Sequence, residues 1–248
     1  AVPEVDLAKL EQELVRATRS WTDLLRDELT DRYGEDRGLK LWREFRDGIP
    51  RGYQEFVDPA HATFDVATMR EVKGDRRLSL NLYRPIELPD TQCRFKLFNR
   101  DTAVVLSDVL PMIERMGLRV LEERQFRIAR DLGDGTRTYM IHDFLLQVDG
   151  QGVIDIGAVK QDFEEAFAAV WCGEAESDGF NRLVLAAGLN WREVVILRAI
   201  CKYLRQTGIA FSQDYMEEAL ASNPVVASDL VKLFHIRFDP QAARDREE

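Results

Sequence analysis

Few residues of this chain are placed by type and spacing to do chemistry. Gly150-Gln151-Gly152-Val153-Ile154-Asp155 follows a strand-like run and precedes a helix-like one. A glycine-rich turn at such a place lets backbone amides reach a pyrophosphate. Asp155, however, stands where the third glycine of a dinucleotide fingerprint belongs, and its charge repels phosphate. No strand follows the next helix closely enough for a parallel βαβ unit, so the stretch reads as a loop. Leu132-Gly133-Asp134-Gly135-Thr136 is too short for a phosphate-binding loop and lacks the Gly-Lys-Ser/Thr ending, which leaves a hairpin turn. His142 and Asp143 resemble a base with its orienting carboxylate, but neighbours on a strand point to opposite faces. His142 shares its face with Met140, Phe144 and Leu146, which predicts a half-buried, hydrogen-bonded histidine. General-base chemistry needs a nucleophile partner, and none lies nearby in sequence. His61 and His235 fall in other regions, at no metal-ligand spacing.

Glu164, Glu165, Glu174 and Glu176 form a run of carboxylates. Paired carboxylates do acid–base work when their surroundings split their pKa values. Here Phe163, Phe167 and Val170 occupy the opposite helix face, so a solvated face is expected. Arg182, Arg192, Arg198, Lys202 and Arg205 read likewise as a polar face, or as an interface to acidic surface elsewhere. Cys93, Cys172 and Cys201 are odd in number and fit no CxxC spacing. Free thiols in a reducing cytoplasm are the plain reading. A reactive thiol at Cys172 is the alternative. The expectation is therefore no catalytic, cofactor-binding or metal-ligating residue in this chain.

The elements that carry these residues fall into three regions. Residues 1–75 read as an N-terminal helical region. Leu7, Leu10, Leu14, Ala17, Trp21 and Leu24 recur at spacings of three and four, a stripe that stops at Glu28 and is too short for a coiled coil. A second helix is predicted from Gly38 to Asp47 with Leu41, Trp42 and Phe45 inward, ended by Gly48 and Pro50. Residues 51–75 look like short helices and loops, broken at Pro59 and Gly74.

Residues 76–173 change period. Leu78, Leu80 and Leu82 share one strand face, and Phe95 and Leu97 repeat the alternation after a turn at Leu88-Pro89-Asp90. A helix from about Val104 to Met116 ends at Gly117. Two long strands joined by the 132–136 turn follow. A helix with Phe163, Ala166, Phe167, Val170 and Trp171 on one stripe closes the unit. The order β-β-α-β-β-α predicts an α+β fold, a ferredoxin-like, ACT-type antiparallel sheet with two helices, the first strand being displaced from the usual βαββαβ order. Residues 174–248 read as a C-terminal helical motif. Ser177 or Asp178 is expected to cap a helix through Leu185. Asn190 is expected to cap one from Trp191 to Thr207 stopped by Gly208. A third runs from Ser212 to Leu220, and a fourth starts at Pro224 and runs to about Arg237, before a polar tail.

Composition bounds the reading. The 248 residues are enough for one or two domains, and 45% hydrophobic with 31% charged residues is ordinary for a globular protein. A net charge of −10 argues against nucleic acid as a partner. No apolar run approaches the ~20 residues of a membrane span, so no membrane partner is expected. The start lacks the features of a signal peptide. Ala1 in place of Met points to an excised or processed boundary.

A collinear series of motifs carries a resemblance: LSLNLYRP at 78–85, FKLFNR at 95–100, SDVLPMIERMGLRVLEER at 107–124, IHDF at 141–144, FEEAFAAVW at 163–171 and GFNRLVLAAGLNWREVVILRA at 179–199. KYLRQTG, FSQ and RFDP extend it to Pro240. Over roughly residues 78 to 240 the chain resembles the large NAD-specific glutamate dehydrogenases of bacteria, in a segment upstream of their catalytic domain. The resemblance implies a much longer parent, with ACT-like and helical modules before a catalytic part that holds a Rossmann domain. Such a parent serves amino-acid catabolism. It deaminates L-glutamate oxidatively to 2-oxoglutarate and ammonium, passing a hydride to NAD. The family's catalytic lysine and aspartate lie in a glycine-rich segment that has no counterpart here. No catalytic or NAD-binding residue carries over, and the segment alone is expected to be inactive and to hold no cofactor.

What remains is a cytoplasmic, non-catalytic regulatory and structural segment whose partner is the remainder of the parent polypeptide. ACT-type folds often bind amino acids where two such domains meet, which makes an amino-acid effector conceivable. The loop Asn99 to Ala103 lacks the glycine that ligand-binding ACT loops usually carry, which favours scaffold and interface duty over sensing. Exposed apolar faces, on the Leu7–Leu24 helix or the 212–238 helices, are expected to make the isolated chain a homo-oligomer. The alternative is a free-standing ACT-type amino-acid-sensing or interaction protein.

Overall fold

The computed structural model describes residues 19–72, 78–148 and 153–238. The described residues form two compact units: those up to 79 with 97–103 and 124–142 in the first, and 80–96, 104–123 and those from 143 onward in the second. Four strands, β1 (Leu78–Tyr83), β2 (Gln92–Arg100), β3 (Leu118–Asp131) and β4 (Thr136–Val148), make one sheet in the order β1-β2-β4-β3. It is antiparallel. Val148 N–H donates to Thr91 O at the start of β2, and Asp101 N–H donates to Thr138 O at its end, each at 2.9 Å. The fold is α+β and ferredoxin-like, with the edge strand that usually comes last in the chain supplied first.

In unit one, helices α1 (Trp21–Tyr33), α2 (Glu35–Phe45), α3 (Arg51–Phe56) and α4 (Pro59–Glu71) precede the sheet. The Leu7–Ala17 part of the predicted stripe lies outside the described residues. On α1 the buried positions are Leu25 and Leu29, with Trp21 and Leu24 half-buried, and the helix continues past Glu28 to Tyr33. Trp21 Nε1 donates to Val57 O and Trp42 Nε1 to Thr22 O, both at 2.9 Å, so each indole buries its ring and satisfies its one donor. The α2 helix starts at Glu35 rather than Gly38. Leu41 and Phe45 are fully buried and Trp42 half-buried. Pro59 begins a helix instead of breaking one. Asp58 accepts from Ala60 N–H as N-cap, and proline at the first helical position loses no hydrogen bond. These helices pack on Phe98, Phe126, Ile128, Tyr139 and Ile141 of the strands, with Tyr53 edge-on to Phe126 at 5.2 Å.

In unit two, α5 (Leu106–Arg115) and α6 (Ile156–Trp171) carry the other core residues. Gly117 takes φ +85 just past α5, as a helix-terminating glycine should. Phe163 and Phe167 of α6 pack edge-on against Phe95 of β2 at 5.2 and 5.0 Å. β2 is buried on both faces, not only on the Phe95 and Leu97 face, with Lys96, Phe98 and Asn99 buried as well. A 3-10 turn (Gly179–Arg182), α7 (Leu183–Ala187), α8 (Trp191–Gln206), α9 (Gln213–Ala221) and α10 (Pro224–Phe238) complete the unit. Asp178, Asn190 and Ser212 cap as their side chains predict, Asn190 in a full capping box with Glu193.

Candidate functional site

The structure gives most candidates the sequence offered a place and partners. Asp155 caps α6, its carboxylate accepting from Ala158 N–H, so it serves its own helix; residues 149–152 lie outside the described residues. His142 is buried, at 1% exposure, rather than half-buried. Asp143 turns to the opposite face and accepts from Arg94 Nε at 2.8 Å. Lys96, also buried on β2, lies 5.3 Å from the ring of Tyr83. Arg94 and Lys96 were missed in the sequence; charges at alternate positions of a strand with apolar neighbours are the signal that marks them. Among the described residues no group of three or more histidines, cysteines or carboxylates is placed to hold a metal.

The carboxylate run is not one solvated face. Glu164 is three-quarters buried and accepts from Leu82 N–H at 2.7 Å, with Lys160 Nζ at 3.7 Å. Burial pushes its carboxyl pKa up, against the pull of Leu82 N–H and Lys160. β1 is an edge strand, and this helix carboxylate blocks one of its outward donors. Glu176 behaves as a surface group, its pKa held down by the hydrogen bond from Lys202. Arg198 is the exception among the cations. It is buried and bound to Asp178 and Asn181, because α8 turns that position inward. Arg182 and Lys202 do form surface pairs, with Glu218 and Glu176.

Asp101 shows how the 99–103 loop manages without glycine. It takes φ +69, the left-handed region, where aspartate is one of the few tolerated side chains. Asn99 Nδ2 closes the loop by donating to Thr102 O at 2.8 Å.

The feature with the character of a binding site is an apolar groove of about 510 Å³ among α8, α9 and α10. Leu197, Leu204, Phe211, Met216, Leu233 and Phe238 line it. Phe211, Leu233 and Phe238 of this lining are more than half exposed, as is Tyr215, which stacks on Phe211. Apolar residues of this size left open together around one groove mark an interaction surface. Among the described residues Arg237 is the one charged residue that lines it. The Cys201 thiol, buried and with its pKa raised by burial, also lines the groove, and apolar packing dominates its chemistry.

Comparison with known proteins follows this architecture. Residues 28–72 match a model described as glutamate dehydrogenase, helical motif 2. Residues 77–159 match glutamate dehydrogenase, ACT3 domain, and residues 175–240 match glutamate dehydrogenase, helical motif 3. The NAD-specific glutamate dehydrogenase of Halomonas elongata is 39% identical over 237 residues, 96% of this chain and 14% of that protein. Those of Pseudomonas aeruginosa and Mycobacterium tuberculosis are 37% and 34% identical over 95% and 97% of the chain. The chain thus spans about one-seventh of the length of the curated relatives it matches. No helix among the described residues is long and apolar enough to cross a membrane. The chain belongs to the NAD-specific glutamate dehydrogenase family, carrying the family's ACT3 domain between helical motifs 2 and 3.

Proposed function

We propose that this chain works as a non-catalytic regulatory and structural segment of a large, cytoplasmic NAD-dependent glutamate dehydrogenase. The parent's reaction, oxidation of L-glutamate to 2-oxoglutarate and ammonium with hydride transfer to NAD, is then carried by other parts of the polypeptide. The segment comprises a helical region (1–75), an ACT-like sandwich (76–173) and a C-terminal helical motif (174–248). The observation that carries the reading is the open apolar groove of α8, α9 and α10, a surface suited to packing. Its occupant is another part of the same polypeptide, presenting an apolar helix face. The relatives supply about six times more chain than is present here, enough to furnish one.

The test is the size of the native polypeptide, by blotting cell extract with an antibody raised to these 248 residues. A band several times larger than 28.6 kDa is expected. A band near 28.6 kDa overturns the reading and makes amino-acid binding by a free-standing protein the question. The purified chain is also expected to form no NADH from glutamate and NAD.

A further inference from the structure

Unit one contains a cavity of about 830 Å³ with a very different lining. Arg37 and Lys40 of α2, Arg70 at the end of α4, Arg100 closing β2, Arg130 on β3 and Arg137 on β4 all face it. Among the described residues only two carboxylates, Asp36 and Glu71, line it with them. In a chain of net charge −10, six cations converging on one concavity is a strong local reversal of sign.

The cluster is only partly neutralised from within. Glu44 accepts from Arg130, with Nε at 3.0 Å and Nη2 at 2.9 Å, and lies 3.8 Å from Arg70. Arg37 meets Glu71 at 3.4 Å. Arg100 Nε is buried, and the Asp101 carboxylate 3.3 Å away lies outside hydrogen-bonding geometry. Among the described residues, Lys40 and Arg137 have no carboxylate within ion-pair reach. Gathering like charges costs free energy unless something answers them. A buried guanidinium nitrogen without an acceptor adds to that cost.

We propose that this cavity binds a small polyanion, a molecule with two or more phosphate or carboxylate groups. Guanidinium forks match both groups bidentately, and several arginines from different elements fix a multivalent anion better than a single charge. The volume falls within the range of small-molecule sites. Arg37 and Arg70 sit on the helices and Arg100, Arg130 and Arg137 on the strands, so a bound anion ties α2 and α4 to the strand ends. The inference stands apart from the groove and from the parent's activity.

Calorimetric titration of the full 248-residue chain, at constant ionic strength, tests it. The probes are sodium pyrophosphate and the tricarboxylate tricarballylate. Binding of either one supports the site, and which one binds tells whether phosphate or carboxylate chemistry is preferred. The double variant Lys40→Ala with Arg137→Ala removes two cations that hold no partner among the described residues, so the fold is retained. It is expected to weaken binding by about tenfold or more. Failure of both probes at millimolar concentration, or binding unchanged in the double variant, overturns the proposal.

Discussion

Arg198 on α8 donates to both carboxylate oxygens of Asp178, from Nε at 2.7 Å and Nη2 at 2.8 Å, with only 4% of its side chain exposed. The same Nη2 donates to Asn181 Oδ1 at 2.7 Å, and Asp178 also caps the 3-10 turn through Phe180 N–H. One buried fork thus joins α8 to the turn that leads into α7. Removing one partner of such a pair leaves an uncompensated charge. Arg198→Ala is expected to destabilise the chain by about 3–5 kcal/mol. Arg198→Lys, which keeps the charge but loses the planar fork, falls between it and the wild type. Urea denaturation midpoints decide this, and an Arg198→Ala variant as stable as the parent chain would remove the pair from the account.

Glu164 gives stability a pH dependence of known sign. Its folded pKa is raised above the ordinary 4.5, with burial as the leading cause. The folded state therefore binds the proton more tightly than the unfolded state. The favourable contribution is fully present below pH 4.5 and is lost as pH rises through the raised value. Glu164→Gln keeps an oxygen to accept from Leu82 N–H but cannot ionise. Thermal melts across this range are expected to show a smaller decline with pH in the variant. Parallel profiles for the two proteins contradict the assignment.

Gly48 marks a contact no side chain can share. Its carbonyl accepts from Ala129 N–H at 3.0 Å, and a Cβ added there would stand 2.0 Å from Ala129 O. Gly48→Ala must push backbone from backbone, and a loss of about 1–3 kcal/mol is expected, as for other overpacked sites. The neutral comparison is Gly52→Ala on α3, where an added Cβ meets nothing within 4 Å. Equal melting temperatures for the two variants would refute the close approach.

The three thiols should separate kinetically. Cys172 is exposed at the end of α6, whereas Cys93 is fully buried and its pKa is pushed up to about 11 by burial. Burial raises Cys201 as well, with Glu217 adding to it. Since the thiolate is the reactive form, a thiol reagent at neutral pH is expected to label Cys172 rapidly in the native chain and Cys93 only on unfolding. Peptide mapping of the first label reads the outcome, and early modification of Cys93 would contradict the packing of β2.

The groove carries an expectation about the isolated chain. With its apolar face uncovered, the purified protein is expected to self-associate, giving a light-scattering mass above 28.6 kDa that falls toward it in Leu233→Asp. A monomer at high concentration counts against this face as a strong packing surface.

The order of elements was legible from the chain because it rests on local physics. Period-two runs made the strands, Asp178, Asn190 and Ser212 satisfied helix amides as caps, and Gly117 and Gly208 supplied positive φ where helices stop. The resemblance to a family was likewise a property of the linear motifs. The depth of individual side chains was not legible, because a polar residue's burial depends on partners far away in sequence. Glu164 looked solvated until Leu82, eighty-two positions back, offered it an N–H. Arg198 looked like a surface cation until Asp178 and Asn181 closed around it. The basic cavity is the extreme case. Its cations come from α2, α4 and three separate strands, each unremarkable in its own segment, and only the tertiary fold brings them to one concavity.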